Sequence, residues 1–186
     1  MNRIALAALA TAASCALPAL AQSWYIGGGV GRGNLNVSGN DLGLPNASVG
    51  DSATTYTLRG GYRFSPYFAT ELAYYDLGEY DFSGNIGNVN VAGTAKAKAF
   101  AINAVGIWPV SEAFDLYGRI GYGEAELKAN ASAAGFVGND SDRQGGAFYG
   151  VGARWNANKS WGVFAEWMKA DKIEVDSYMI GVDFRF

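Results

Sequence analysis

Tyr178-Met-Ile-Gly-Val-Asp-Phe-Arg-Phe186 sorts its residues by parity. Tyr178, Ile180, Val182, Phe184 and Phe186 form an apolar row, and Met179, Gly181, Asp183 and Arg185 form a second row that ends in two charges. A period of two marks a β-strand with one face in an apolar medium and the other in a polar one. The apolar row reaches the last residue and stops on an aromatic. Termini of water-soluble domains are normally polar and mobile, whereas aromatic girdles edge the strands of membrane barrels. The stretch therefore predicts a membrane-crossing strand, with Tyr178, Phe184 and Phe186 carrying a signal for assembly.

Seven further segments upstream carry related patterns, giving strands expected over 24–37, 54–64, 68–80, 96–110, 114–128, 145–155 and 160–172, with the eighth over 175–186. Tight turns at Ser65-Pro66-Tyr67, Ser111-Glu112-Ala113 and Asn156-Ala157-Asn158-Lys159 alternate with longer connections at 38–53, 81–95 and 129–144 and a short one near 171–174. The longer ones are rich in Gly, Asn, Ser and Asp. Short turns on one side and long loops on the other are the rhythm of an eight-stranded, antiparallel, up-and-down transmembrane β-barrel, an all-β fold. Each segment supplies the roughly 9–11 tilted residues that cross a bilayer.

Polarity assigns the faces. Tyr56, Leu58, Gly60, Tyr62 and Phe64 oppose Thr55, Thr57, Arg59, Gly61 and Arg63. Leu72 and Tyr74 oppose Glu71; Phe100, Ile102 and Trp108 oppose Asn103; Leu116, Ile120 and Tyr122 oppose Asp115 and Arg119. Val151 and Trp155 oppose Arg154, and Val163 and Trp167 oppose Glu166. A lipid-facing Arg at the midplane costs about 2–4 kcal/mol, so these charges are expected to point inward. An eight-stranded barrel is wide enough only for its own side chains. Arg59, Arg119 and Arg154 with Glu71, Glu166 and Asp183 are therefore expected to form a paired lumen network, either a structural plug or a narrow ion path. Trp24, Trp108, Trp155 and Trp161, at segment ends, read as membrane-interface anchors.

The beginning of the chain agrees with export. Met1-Asn-Arg3 is a short basic start, residues 4–20 are rich in Ala and Leu, and Ala19-Leu20-Ala21 is a small-residue cleavage site. A secretory signal peptide over 1–21 is expected, leaving a barrel domain over 22–186. A rival lipoprotein cut at Cys15 would need a leucine where Ala12-Ala13-Ser14 stands, and would fall within the apolar run. The whole chain has 14 basic and 17 acidic residues, and losing Arg3 leaves 13 basic ones, so a nucleic-acid partner is not expected. Hydrophobic residues make up 49% of the chain, and 26 Gly with many aromatics, 4 Pro and no helical periodicity indicate an all-β protein.

The absence of histidine excludes Ser-His-Asp hydrolysis and His-ligated zinc. Glu71 and Glu166 face arginines, which favours ion pairing over paired-carboxylate catalysis. No enzyme activity, cofactor or metal site is expected. Gly27-Gly-Gly-Val-Gly31 sits inside a strand with no helix following, so it reads as close packing in a curved wall and not as a phosphate loop. Asp140-Ser-Asp142 reads as solvated loop in preference to a calcium site, and the sequons at Asn36, Asn46, Asn130 and Asn139 as loop composition.

The stretch from Gly61 to Gly78 resembles the second hairpin of the OmpA-like transmembrane domain family. Trp24-Tyr-Ile-Gly-Gly-Gly-Val30 is similar to that family's first strand, and Trp108-Pro-Val with Asp115-Leu-Tyr-Gly-Arg-Ile-Gly121 to its fourth and fifth. The likeness extends to the small outer-membrane barrels at large, including the opacity-type and Ail-like branches. It implies a multi-pass barrel in the outer membrane of a Gram-negative bacterium, with paired lumen Arg and Glu residues such as Arg119 and Glu71. It also implies roles in membrane structure and surface adhesion, or weak, porin-like ion conduction. Its implied partners are outer-membrane lipid and lipopolysaccharide, the barrel-assembly machinery through the last strand, and an extracellular ligand at loops 38–51, 82–94 and 129–144. The periplasmic peptidoglycan-binding domain of full-length OmpA is not expected after Phe186. A lipocalin-like carrier, also eight-stranded, would need the inverse polarity. N-terminal sequencing of the protein from outer membranes should begin at Gln22; a chain retaining Met1 would contradict the leader.

Overall fold

The computed structural model describes residues 23–35, 48–49, 52–86, 89–133, 136–172 and 174–186. The expected leader and residues 36–47 of the first connection, with the sequons at Asn36 and Asn46, lie outside them. Eight strands form the wall: β1 (Ser23–Leu35), β2 (Ser52–Ser65), β3 (Phe68–Ile86), β4 (Val89–Pro109), β5 (Phe114–Ala133), β6 (Phe136–Asn156), β7 (Trp161–Ala170) and β8 (Val175–Arg185). Each pairs antiparallel with the next, and β8 closes on β1 from Tyr25↔Arg185 to Leu35↔Val175. The protein is a closed, antiparallel, eight-stranded up-and-down barrel. A two-residue strand, Ser48–Val49, adds to β3 at Phe82 and Ser83.

Alternation along each strand becomes an inside and an outside. On β2, Ala53, Thr55, Thr57, Arg59 and Gly61 are buried in the bore and the residues between them are exposed on the wall. Leu58, Ile102 and Ile180 are 57–59% exposed although strongly apolar, which water would not tolerate over so broad a band. Lipid covers that band instead. Phe64 and Tyr56 stand eight residues apart on β2, as do Phe114 and Tyr122 on β5. At about 3.4 Å per residue and a tilt near 40°, eight residues give a height of roughly 20 Å, close to the apolar band of outer-membrane barrels.

Two of the three expected loops are largely strand. Residues 81–86 and 89–94 pair across a hairpin closed at Ile86↔Val89, and residues 129–133 and 136–140 across one closed at Ala133↔Phe136, with 141–144 pairing back to 125–128. Strands β3 to β6 are therefore 19–21 residues long, against 10–14 for the other four. A four-stranded wall rises on one side, about 12 residues or roughly 30 Å beyond the lipid band. Asp140-Ser-Asp142, expected in a loop, belongs to β6. The misreading has a physical cause. Above the bilayer both faces of a sheet are wet, so the extension shows no apolar alternation, and the backbone ladder with exposed ion pairs such as Arg143–Glu126 holds it. Strand β3 enters this region through a bulge between Asp76 and Gly78, where Gly78 adopts a φ of +95° and donates its N–H to Asp76 Oδ1 at 3.2 Å. A Cβ there would lie 2.7 Å from the Thr54 carbonyl oxygen, so glycine is required twice over.

Leu58→Arg should lower the stability of the barrel in lipid vesicles by about 2–4 kcal/mol, read from the urea midpoint of refolding. An unchanged midpoint would place that row away from lipid.

Candidate functional site

The bore is filled in layers, and the candidate site is the charged one. Strands β2, β3, β5, β7 and β8 bring Arg59, Glu71, Arg119, Glu166 and Asp183 to one level, and Arg154 on β6 reaches it from below. Asp183 binds the Arg59 fork through both oxygens, at 3.0 Å from Nε and 2.9 Å from Nη2. It also accepts from Arg154 at 2.8 Å (Nε), with Nη2 at 2.7 Å. Glu166 lies 3.1 Å from Arg59 Nη1 and 2.7 Å from Arg119 Nη2. Glu71 pairs with Arg119 at 2.7 Å and stands 3.7 Å from Arg59. Three guanidiniums thus meet three carboxylates, and no side chain among the six exceeds 4% exposure. All six residues named from the sequence sit in this one cluster.

Several partners were missed in the sequence reading. Tyr25 donates to Glu71 Oε2 at 3.0 Å, and Tyr117 donates to Glu166 Oε2 at 2.7 Å. Arg119 Nη1 donates to the Tyr75 hydroxyl at 3.2 Å. The Arg59 guanidinium lies 3.7 Å from the Phe164 ring centre, a cation–π contact in a desolvated site. Tyr117 shares its parity with Asp115 and Arg119 on β5, but nothing in one sequence says which tyrosines will reach which carboxylates.

Glycines make room for these large groups. Gly27 lies between Arg59 and Asp183 in the register, and a Cβ on it would be 2.0 Å from Asp183 Oδ1. Gly152 stands between Tyr117 and Glu166, and a Cβ there would be 2.6 Å from the Tyr117 ring. The glycine-rich start of β1 is thus a packing device facing an ion cluster.

Apolar layers enclose the charges. Towards the outer wall stand Tyr75, Leu77, Phe148, Met168, Val175 and Met179 with several alanines, and the Tyr75 and Phe148 rings stack at 5.9 Å. Towards the short turns stand Tyr25, Ala69, Val105, Ile107, Tyr117 and Phe164. Such surroundings strengthen each ion pair and raise the cost of leaving one partner alone.

Trp24, Trp108, Trp155 and Trp161 are all exposed at the short-turn rim. Trp24 packs on Tyr62 at 5.0 Å and Trp161 on Phe184 at 4.9 Å, with Phe186 next at 6.1 Å. Tyr178 lies at the other end of β8, opposite Trp167, so the three residues of the expected assembly signal divide between the two girdles. Above the outer girdle Glu79 accepts a hydrogen bond from Lys96 and holds its ammonium above the ordinary lysine range. Among the described residues no group of three or more acidic or sulfur side chains converges as a metal site.

An apolar girdled wall around a neutralised ionic bore defines an integral β-barrel protein of the bacterial outer membrane. The chain belongs to the outer membrane protein beta-barrel domain family, whose model matches residues 5–186. It is 29% identical over 124 residues to outer membrane protein A of Klebsiella aerogenes, and 27% identical over 165 residues to that of Serratia marcescens. These matches cover 63% and 85% of this chain but 33% and 44% of the relatives, so the chain spans less than half the length of those proteins. In fold it is similar to OprG of Pseudomonas aeruginosa (TM-score 0.60, 15% identity, covering 89% of this chain and 96% of that one). It is likewise similar to Ail, the attachment invasion locus protein of Yersinia pestis (TM-score 0.55, 19% identity, 89% and 97%). The protein is located in the Gram-negative outer membrane.

Asp183→Asn should destabilise the barrel by about 3–5 kcal/mol, because two arginines lose their shared carboxylate. Gly27→Ala should destabilise it through the same carboxylate. Urea unfolding in vesicles measures both; wild-type midpoints would deny the cluster its structural weight.

Proposed function

We propose that the protein is a non-catalytic scaffold of the outer membrane that presents a projecting wall for contact with surfaces outside the cell. The observation that carries this reading is the asymmetry of the barrel. Four strands continue far beyond the lipid band above a bore closed by paired ions and apolar layers. A rigid platform holding variable segments in solvent is where recognition concentrates in proteins. Ail, of the same fold, has been crystallised with the heparin analogue sucrose octasulfate. That lends support to surface contact as the role of this barrel.

The closed bore favours a plug over a porin-like channel. Conduction would require Arg59, Arg119 and Arg154 to release their carboxylates, and a parted pair buried in this way is strongly unfavourable. In this reading lipid and lipopolysaccharide surround the wall, and the aromatic residues Phe184 and Phe186 present the last strand to the assembly machinery. Trp24, Trp108, Trp155 and Trp161 fix the depth of the inner rim.

Shortening both hairpins, by removing 82–94 and 129–140 so that Lys128 still faces Ser141, and rejoining the strands with two-residue turns, should leave folding intact. The heat-dependent gel shift of the folded barrel reads that, and cell adhesion to abiotic and host-derived surfaces reads function. Lost adhesion with an intact gel shift is the expected result; undiminished adhesion would overturn the proposal.

A further inference from the structure

The short-turn mouth of the bore carries a ring of polar residues separate from the sealed cluster. Arg63 on β2 places Nη1 3.5 Å from Asp115 Oδ2 on β5, and its Nε and Nη2 donate to the carbonyls of Ser65 and Pro66 at 3.2 and 2.6 Å. Asp115 also accepts from Asn156 Nδ2 on β6 at 3.2 Å. Asn156 Oδ1 accepts in turn from Arg185 Nη2 on β8. The chain Arg63–Asp115–Asn156–Arg185 therefore crosses the mouth from one side of the barrel to the other.

The charges in this ring do not balance. Arg59, Arg63, Arg119, Arg154 and Arg185 meet Glu71, Asp115, Glu166 and Asp183 in and below the cluster. Asp115 is engaged by Arg63, and Asp183 by both Arg59 and Arg154. Among the described residues Arg185 has no carboxylate within 4.0 Å, and an amide oxygen is the side-chain partner it has. Gly162 packs against both arginines: a Cβ on it would lie 3.3 Å from Arg154 and 3.5 Å from Arg185 Nη2. A half-buried cation with one of its five donors used, and two more guanidiniums behind it, is an unsatisfied electrostatic site.

We propose that this mouth binds an oxyanion, a carboxylate or a phosphate, presented from the periplasm and seated against Arg185. The planar fork of the guanidinium matches either group through two parallel hydrogen bonds. Arg63 and Arg154 keep their own partners and contribute positive field at the opening. Asp115 and Asp183 lie on the inner side of the site and oppose the anion, which limits affinity and favours a multivalent or tethered ligand. The proposal is independent of the surface-contact role, because it concerns the opposite end of the barrel.

The test uses the full barrel folded in lipid nanodiscs, with the Arg Nε–H resonances followed by NMR at constant ionic strength in chloride. One titration uses inorganic phosphate and another the dipeptide D-alanyl-D-alanine, whose anionic group is a carboxylate. Saturable movement of the Arg185 resonance with either probe is the expected result, and the probe that saturates first identifies the group preferred. Arg185→Gln should weaken binding at least about tenfold, and Arg185→Lys, which keeps charge without the fork, should fall between. Linear, unsaturable shifts in the wild-type protein with both probes would overturn the site, whatever the variants do. Equal affinity in wild type and in a folded Arg185→Gln barrel would overturn the role of Arg185.

Discussion

Hydrocarbon offers no hydrogen bond to a peptide group, and the rest of this structure follows from that. Every N–H and C=O within the lipid band must find a partner on another strand, so the sheet has to close on itself. Closure is accomplished by the β1–β8 ladder, which uses eleven residues of each strand in an unbroken register. A closed barrel of eight strands leaves a bore that side chains alone can fill. The alternation that greases the outer wall then forces polar residues into this narrow space. They are tolerable there only when their charges cancel, as Arg59, Arg119 and Arg154 cancel against Glu71, Glu166 and Asp183.

Volume has to balance as well as charge. Within the bore, large residues and glycines stand next to one another across the ladders: Arg59 and Asp183 flank Gly27, Tyr25 and Glu71 flank Gly61, and Arg119 and Met168 flank Gly150. Each long side chain crosses the axis through space that a glycine vacates on the neighbouring strand. High glycine content and high aromatic content are thus two aspects of one packing solution. Outside the lipid these demands lapse, since water satisfies backbone and side chain alike. The four strands that continue there are held by their ladders and by exposed ion pairs such as Lys96–Glu79.

Strand number, topology and face assignment were legible in the sequence because the medium imposes a period of two wherever lipid touches the wall. Leu58 and Arg59 could be assigned to opposite faces from their chemistry alone. The six charges of the cluster were legible for the same reason, each being on the polar row of its strand. The other pairings were not, because register across eight strands sets which carboxylate meets which arginine and a single strand's pattern does not encode it; Arg119 with Glu71 came from the family resemblance alone. The hairpins at 82–94 and 129–144 were read as loops since their Gly, Asn and Ser residues resemble turn chemistry once alternation has stopped. The surplus arginine at the mouth was hidden among charges that parity alone made look balanced.

Single-channel recording in planar lipid bilayers reads directly whether mutually neutralising ions close the bore. The folded wild-type barrel should hold the membrane at baseline, with conductance appearing when Glu71, Glu166 or Asp183 is replaced so that an arginine is released. A steady, ohmic current through the wild-type barrel would mean that the bore is open.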